Sequence, residues 1–252
     1  MRKLLLLALF AWCYDLYSQP TVVDLGLPSG TKWAKTNVGA SNAQDYGNYY
    51  AWGEITPKND YTWATYQHSG NSNFAIIKYC NNSEYGDGGF SDALTVLDAG
   101  DNVVISLYGA GYQIPTPAQW TELRNNCYWR WNSANPSVGY DNSVGWVVFK
   151  VKDNAHKGKI DNTVYSDLNS QTYKNSTRAK YSSADAHIFL PAAGCKVNTG
   201  TINTGSYGDY WSSTLGSTYP YCAQGLFFHS AEIKILDGTR YYGRTVRPVK
   251  KP

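Results

Sequence analysis

Five aromatic side chains crowd one short stretch, TGSYGDYWSSTLGSTYPYCAQ: Tyr207, Tyr210, Trp211, Tyr219 and Tyr221, set among Ser, Thr and Gly. Rigid rings beside small polar residues suit a binding loop, because a tyrosine brings a large contact area with only two side-chain torsions. Sugars offer C–H faces to such rings and hydroxyls to the neighbouring Ser and Thr. Pro220 restricts the residue before it and holds Tyr219 extended. The same composition also suits packing inside a Tyr-rich β fold. Tyr207, Tyr210, Tyr219 and Tyr221 are therefore the candidate ligand contacts.

Other residue types with reactive chemistry lack the spacing that chemistry needs. His68, His156, His187 and His229 form no HExxH or paired-ligand pattern, so no metal site is expected. SGTK at Ser29–Lys32 matches SxxK, but SDN and KTG are missing. GAGYQI lacks the third glycine of a dinucleotide loop and precedes a strand instead of following one. There is no GxSxG and no CxxC. No catalytic residue and no cofactor is expected. Beyond Cys13, four cysteines stand at wide, irregular intervals: Cys80, Cys127, Cys195 and Cys222. Buried free thiols and a single bridge both fit. The pair for one bridge is Cys195–Cys222, both in β-like segments of the C-terminal half.

The composition is that of a globular domain, 42% hydrophobic and 16% charged over 252 residues. Net charge is +3, and no basic run is longer than the two residues of Lys250-Lys251. A nucleic-acid partner would need a basic stripe, so none is expected. Arg2 and Lys3 precede an apolar run from Leu4 to Trp12. That run is too short to span a bilayer and fits a secretory signal over residues 1–19, cleaved near Ser18 or Gln19. Lipidation at Cys13 is the less favoured alternative, because Trp12 is bulky where a small residue is wanted. The chain is expected to be exported, secreted or at the cell surface, without a transmembrane segment.

Positioning these residues needs elements, and the clearest is a helix. In IPTPAQWTEL, Thr116 caps, Pro117 suits the first position and Gln119 completes a capping box. Trp120, Leu123 and Cys127 share one face, so the spacing predicts a helix over Pro117 to Asn126. TVVDLGL, GWVVFKV and HIFLPAAG read as strands. GLFFHSAEIKI alternates, Asp237-Gly238 carries a turn signal, and RYYGRTVRPV then reads as the returning arm of a hairpin. From Lys152 to Ala186 the chain is polar and aperiodic, a long loop or small insertion. With no repeat or linker, residues 20–252 read as one domain.

VDLGLPSGTKWAKTNVGA, YGNYYAWGE, YQIPTPAQWTEL, IFLPAAG, YWSST and GRTVRPV follow one another in this order. Together they resemble the Fibrobacter succinogenes major paralogous domain of secreted and surface proteins of Bacteroidota, over about Val22 to Val249. The resemblance implies an α+β, C-type-lectin-like fold: a small twisted mixed or antiparallel sheet, two short helices and long loops. It places the terminal strands side by side, with Val22–Leu25 against Val246–Val249 and Asp24 near Arg247. Asp24, Trp120, Trp211 and Arg247 are then structural residues. Two departures stand out. DNVVISLYGAGYQIPT replaces the acidic helix of the family, and the Lys152–Ala186 stretch is inserted before IFLPAAG.

Calcium-dependent lectins of this fold read sugars with EPN or QPD and a WND-like triplet, all missing here. ANPSVGYDN has Asn-Pro without an acidic residue before it. The enzyme branch of the fold, the formylglycine-generating oxidases, uses paired C-terminal cysteines, and Cys222 has no neighbour in sequence. The expectation is a non-enzymatic binding or adhesion protein for a glycan or protein ligand, using the Tyr207–Tyr221 loops and the insertion. A part of a surface organelle, of the pilus-tip type, is the alternative, and the oxidase comes third.

Overall fold

A computed structural model describes residues 18–133, 140 and 142–252. The apolar run from Leu4 to Trp12, Cys13 and most of ANPSVGYDN lie outside the described residues.

Side-chain caps set the helices. Asn102 opens α1 (Val103–Tyr108) by accepting from the N–H groups of Val104 and Ile105. Thr116 opens α2 (Pro117–Asn126), with the reciprocal Thr116–Gln119 box and Pro117 at the first turn. Trp120 and Leu123 point inward from α2, and Cys127 ends the helix where the next strand starts. A single turn, α3 (Gln171–Lys174), follows in the polar segment. The rings of Trp33 and Trp120 meet at 4.5 Å. With Trp129, Trp146, Leu190 and Phe228 they make the main core, which α2 closes from one side.

The fold is α+β, with sheets dominating. One five-stranded sheet runs in the order Glu232–Thr239, Cys222–His229, Gly208–Leu215, Arg244–Thr245, Tyr49–Tyr50. Alternation divides its faces. Tyr210, Leu226, Phe228 and Ile233 enter the main core. Trp211, Leu215 and Ala223 enter a second core with Trp52, Tyr79 and Val104. A four-stranded sheet of Ile160–Asp161, Cys127–Asn132, Gly145–Lys150 and His187–Pro191 lies on the other side.

Three sequence expectations need correction. The late hairpin turns at Ser230-Ala231, pairing His229 with Glu232. Asp237-Gly238 lies inside the second strand, opposite Gln224 and Ala223. Gly238 answers a packing need there: a Cβ would collide with the Arg244 guanidinium. The tail is not a hairpin arm but splits between two sheets, with Thr245 parallel to Tyr210 and Val249 paired to Trp33 and Gln113.

The terminal strands share a sheet but are not neighbours, because Lys32–Ala34 lies between Val22–Val23 and Val249–Lys250. Asp24 therefore does not meet Arg247. It stays exposed, accepts from the Gly26 N–H at 2.8 Å and stands 4.0 Å from Lys32 Nζ. Arg247 is fully buried. It donates to Asn37 Oδ1 at 2.8 Å, to Ala34 O at 2.9 Å, to Lys35 O at 2.5 Å and to Phe189 O at 2.7 Å.

The polar Lys152–Ala186 segment folds back over the outer four-stranded sheet. Ile160–Asp161 adds to it in parallel with Cys127–Asn132. Tyr128 Oη donates to Asp161 at 2.6 Å, and Arg178 donates to the carbonyls of Trp131 and Asp161. Tyr181 packs its ring 4.5 Å from Tyr128. Val164 and Leu168 remain exposed.

Candidate ligand-binding surface

Alternation sorts the tyrosines of the aromatic stretch. Tyr210 faces the main core, is fully buried, and donates its hydroxyl to Pro191 O at 2.9 Å. This corrects its assignment as a ligand contact: the pleat sets it opposite Trp211, and that face of the sheet is covered by the main core. Trp211 is buried on the opposite face, and its Nε1 donates to Tyr50 O at 2.7 Å. Tyr207 precedes the strand, half-buried against Phe227 at 5.4 Å and His229 at 5.3 Å.

Tyr219 and Tyr221 lie in the connection between Gly208–Leu215 and Cys222–His229, which is held at both ends. Asp237 accepts from Ser217 N at 2.9 Å, Ser217 Oγ at 3.0 Å and Thr218 N at 3.2 Å. The Cys222 N–H closes a turn onto Tyr219 O, and the Gly216 N–H bonds Cys222 O. Pro220 is buried, and its carbonyl accepts from Arg240 at 2.8 Å. With the proline anchored inward, the flanking rings are displayed. They stack at 4.9 Å with 11° between planes.

Two residues that sequence reasoning missed complete the surface. Phe74 and Tyr85 stack at 5.4 Å, also at 11°. Tyr85 meets Tyr221 at 5.3 Å and Tyr219 at 5.8 Å, inclined by 54° and 64°. Tyr85 is brought there by a backbone bond from Ile76 N to Tyr85 O. Arg240 joins the two arms, since it also donates to Tyr79 O and Lys78 O and to the Tyr66 hydroxyl. It carries its charge on rings and carbonyls, with Trp52 4.9 Å from the guanidinium carbon. The signal for Phe74 and Tyr85 was weak: single rings in NSNF and SEYGDGG, among residues that favour exposed turns.

Hydroxyl satisfaction separates these tyrosines from the packing ones. Buried phenols are partnered: Tyr49 to Ala193 O, Tyr61 to Tyr49 O, Tyr66 to Trp52 O and Tyr79 to Asp101. Among the described residues, nothing in the chain bonds the hydroxyls of Tyr85, Tyr219 and Tyr221. Phe74 is 62% exposed and Tyr219 42%. The result is an outward apolar shelf with three free phenol groups. Asp237→Ala should loosen one arm. The expected outcome is about a threefold to tenfold loss of affinity from lost preorganisation, with little change in Tm. Paired titration and melting experiments check this.

Beneath the shelf lies a polar network. Asp101 accepts from Lys78 Nζ at 2.7 Å and Tyr79 Oη at 2.6 Å. Burial raises the Asp101 pKa, but these two bonds outweigh it and leave it below the usual carboxylate value. Burial lowers the pKa of His68, so its 3.7 Å approach to Asp101 is not an ion pair at neutral pH. His187 is likewise lowered by burial. Below about pH 6.5 the unfolded chain takes up these histidine protons before the folded one does. Stability should therefore fall as pH drops from 7 towards 5. Asp209, raised by burial, acts in the opposite direction at lower pH. Melting curves of wild type and His68→Gln/His187→Gln check this, with a shallower decline expected in the variant.

The Cys195–Cys222 bridge is not formed, and the four described cysteines are free. Cys195 belongs to the ribbon Cys195–Val197 with Gly200–Ile202, whereas Cys222 begins a strand of the five-stranded sheet. Burial, helped by Asp209 and Asp237 respectively, pushes each thiol up to about 11. Neither is an activated nucleophile. A cleft of about 780 Å³, lined by Lys35, Asn42, Asn48 and Tyr50 among others, includes none of the four rings. No helix among the described residues is long and apolar enough to cross a membrane. Compared with family profiles, curated proteins and solved structures, the chain gave no match.

Proposed function

We propose that this chain is an exported, non-enzymatic binding protein that recognises a glycan through Phe74, Tyr85, Tyr219 and Tyr221, on a C-type-lectin-like fold. The observation that carries the reading is the pairing of exposed stacked rings with three unpartnered phenol hydroxyls. Such rings take the C–H face of a pyranose, and the hydroxyls reach its rim. Arg240 ties the two arms together and Asp237 anchors one of them, so the rings are held before a ligand arrives, which lowers the cost of association. With EPN, QPD and a WND-like triplet missing from the sequence, recognition is expected to be independent of calcium.

Native affinity electrophoresis through gels containing neutral polysaccharides, run in EDTA, tests this. The expected result is retardation by at least one polysaccharide. Migration unchanged in every gel, or retardation that requires added calcium, would overturn the reading.

A further inference from the structure

The inclination of the rings selects among glycans, an inference that rests on the reading just given. Tyr85 is nearly parallel to Phe74, at 11°, but stands at 64° to Tyr219. The two most exposed faces, Phe74 and Tyr219, are therefore steeply inclined to one another. One pyranose covers one ring face. A ligand that engages both must present successive sugar faces turned against each other. A flat ribbon of sugars, with its faces in one plane, can lie on Phe74 or on Tyr219 but not on both. Coplanar rings would suit such a ribbon, and this shelf does not have them.

Two more observations narrow the class. Among the described residues, no Lys or Arg stands over any of the four rings, and none of the four takes part in a cation–π pair. The guanidinium nearest the shelf, Arg240, is fully buried and donates to Pro220, Tyr79, Lys78 and Tyr66. Lys78, the basic side chain of the Phe74–Tyr85 arm, is already engaged by Asp98 at 2.8 Å and Asp101 at 2.7 Å, so an anionic glycan would have to compete with two carboxylates for it. The four rings also lie outside the 780 Å³ cleft, on an open surface, which suits internal units of a chain and not an enclosed chain end.

We infer that the shelf binds a neutral polysaccharide side-on, across two or more internal sugars of a chain that twists, as an α-linked glucan does. Phe74 and Tyr219 each take one sugar face, and Tyr85 fills the angle between them.

Isothermal titration with three glucose-only probes tests this: maltose, maltoheptaose and cellohexaose. They share the sugar and differ in length or in linkage shape. Maltoheptaose should bind at least tenfold tighter than maltose and than cellohexaose. Phe74→Ala should bring maltoheptaose down to the affinity that maltose has for wild type. Phe74 is 62% exposed, so the variant should keep its fold, which a melting curve verifies. Equal or tighter binding of cellohexaose would overturn the twisted-chain inference and leave a glycan site in place. Equal binding of maltose and maltoheptaose would overturn the side-on mode. No binding of any probe would overturn the glucan form of the inference, while the polysaccharide gels decide separately whether any glycan binds.

Discussion

Replacing Tyr219 and Tyr221 together with Ala should weaken glycan binding by about 2 kcal/mol or more, roughly thirtyfold, in a protein that still folds. Both rings hang from a clamped loop. Its backbone is fixed by Asp237 on one side and by the Arg240 bond to Pro220 on the other, and neither contact uses the tyrosine rings. Truncation removes one stack and the ring edges that Tyr85 leans on. It leaves the buried proline and both clamps in place. Thermal melts and a titration on the same preparation decide between the two roles. A folded variant with wild-type affinity would remove this loop from the site.

Arg247→Met should have the larger effect on stability. Met keeps much of the stem but donates no hydrogen bond. Four acceptors, Asn37 Oδ1 and the carbonyls of Ala34, Lys35 and Phe189, would then lose their donor in the interior. A buried acceptor left unpartnered costs about 1–3 kcal/mol. Relaxation recovers part of this, so the expected loss is about 4 kcal/mol, or a fall in Tm of about 10 °C. Burial already lowers the guanidinium's pKa, and no carboxylate offsets its charge among these partners. Glycan affinity at a permissive temperature should be unchanged, since Arg247 touches none of the four rings. Wild-type stability in a denaturant titration would contradict this account of the buried arginine.

The two regions differ in how much the residues alone disclosed. Helix α2 was legible because its signals are local. Thr116, Pro117 and Gln119 act within one turn, and the Trp120–Leu123 spacing fixes the buried face. The late hairpin was not, because its true turn, Ser230-Ala231, has no glycine or asparagine. The stronger signal, Asp237-Gly238, serves other purposes: Gly238 makes room for Arg244 and Asp237 holds the tyrosine loop. Half of the binding shelf was legible too. Tyr219 and Tyr221 flank a proline among small polar residues, but Phe74 and Tyr85 reach them only through the fold. Tyr210 was misplaced because alternation sets it opposite Trp211, and only the fold reveals that this second face is covered too, the strand lying between two cores. Asp24 and Arg247 were paired on the assumption that the terminal strands touch, whereas Lys32–Ala34 comes between them.

The central claim is that the four rings form one glycan site. The most direct measurement is a glycan array in EDTA with wild type and Tyr85→Ala side by side. Tyr85 is the only one of the four rings in contact with the other three. The account predicts that wild type binds a set of neutral glycans and that Tyr85→Ala, folded by its melting curve, loses that set. An empty array for wild type, or the same glycans bound with equal strength by the variant, would contradict it.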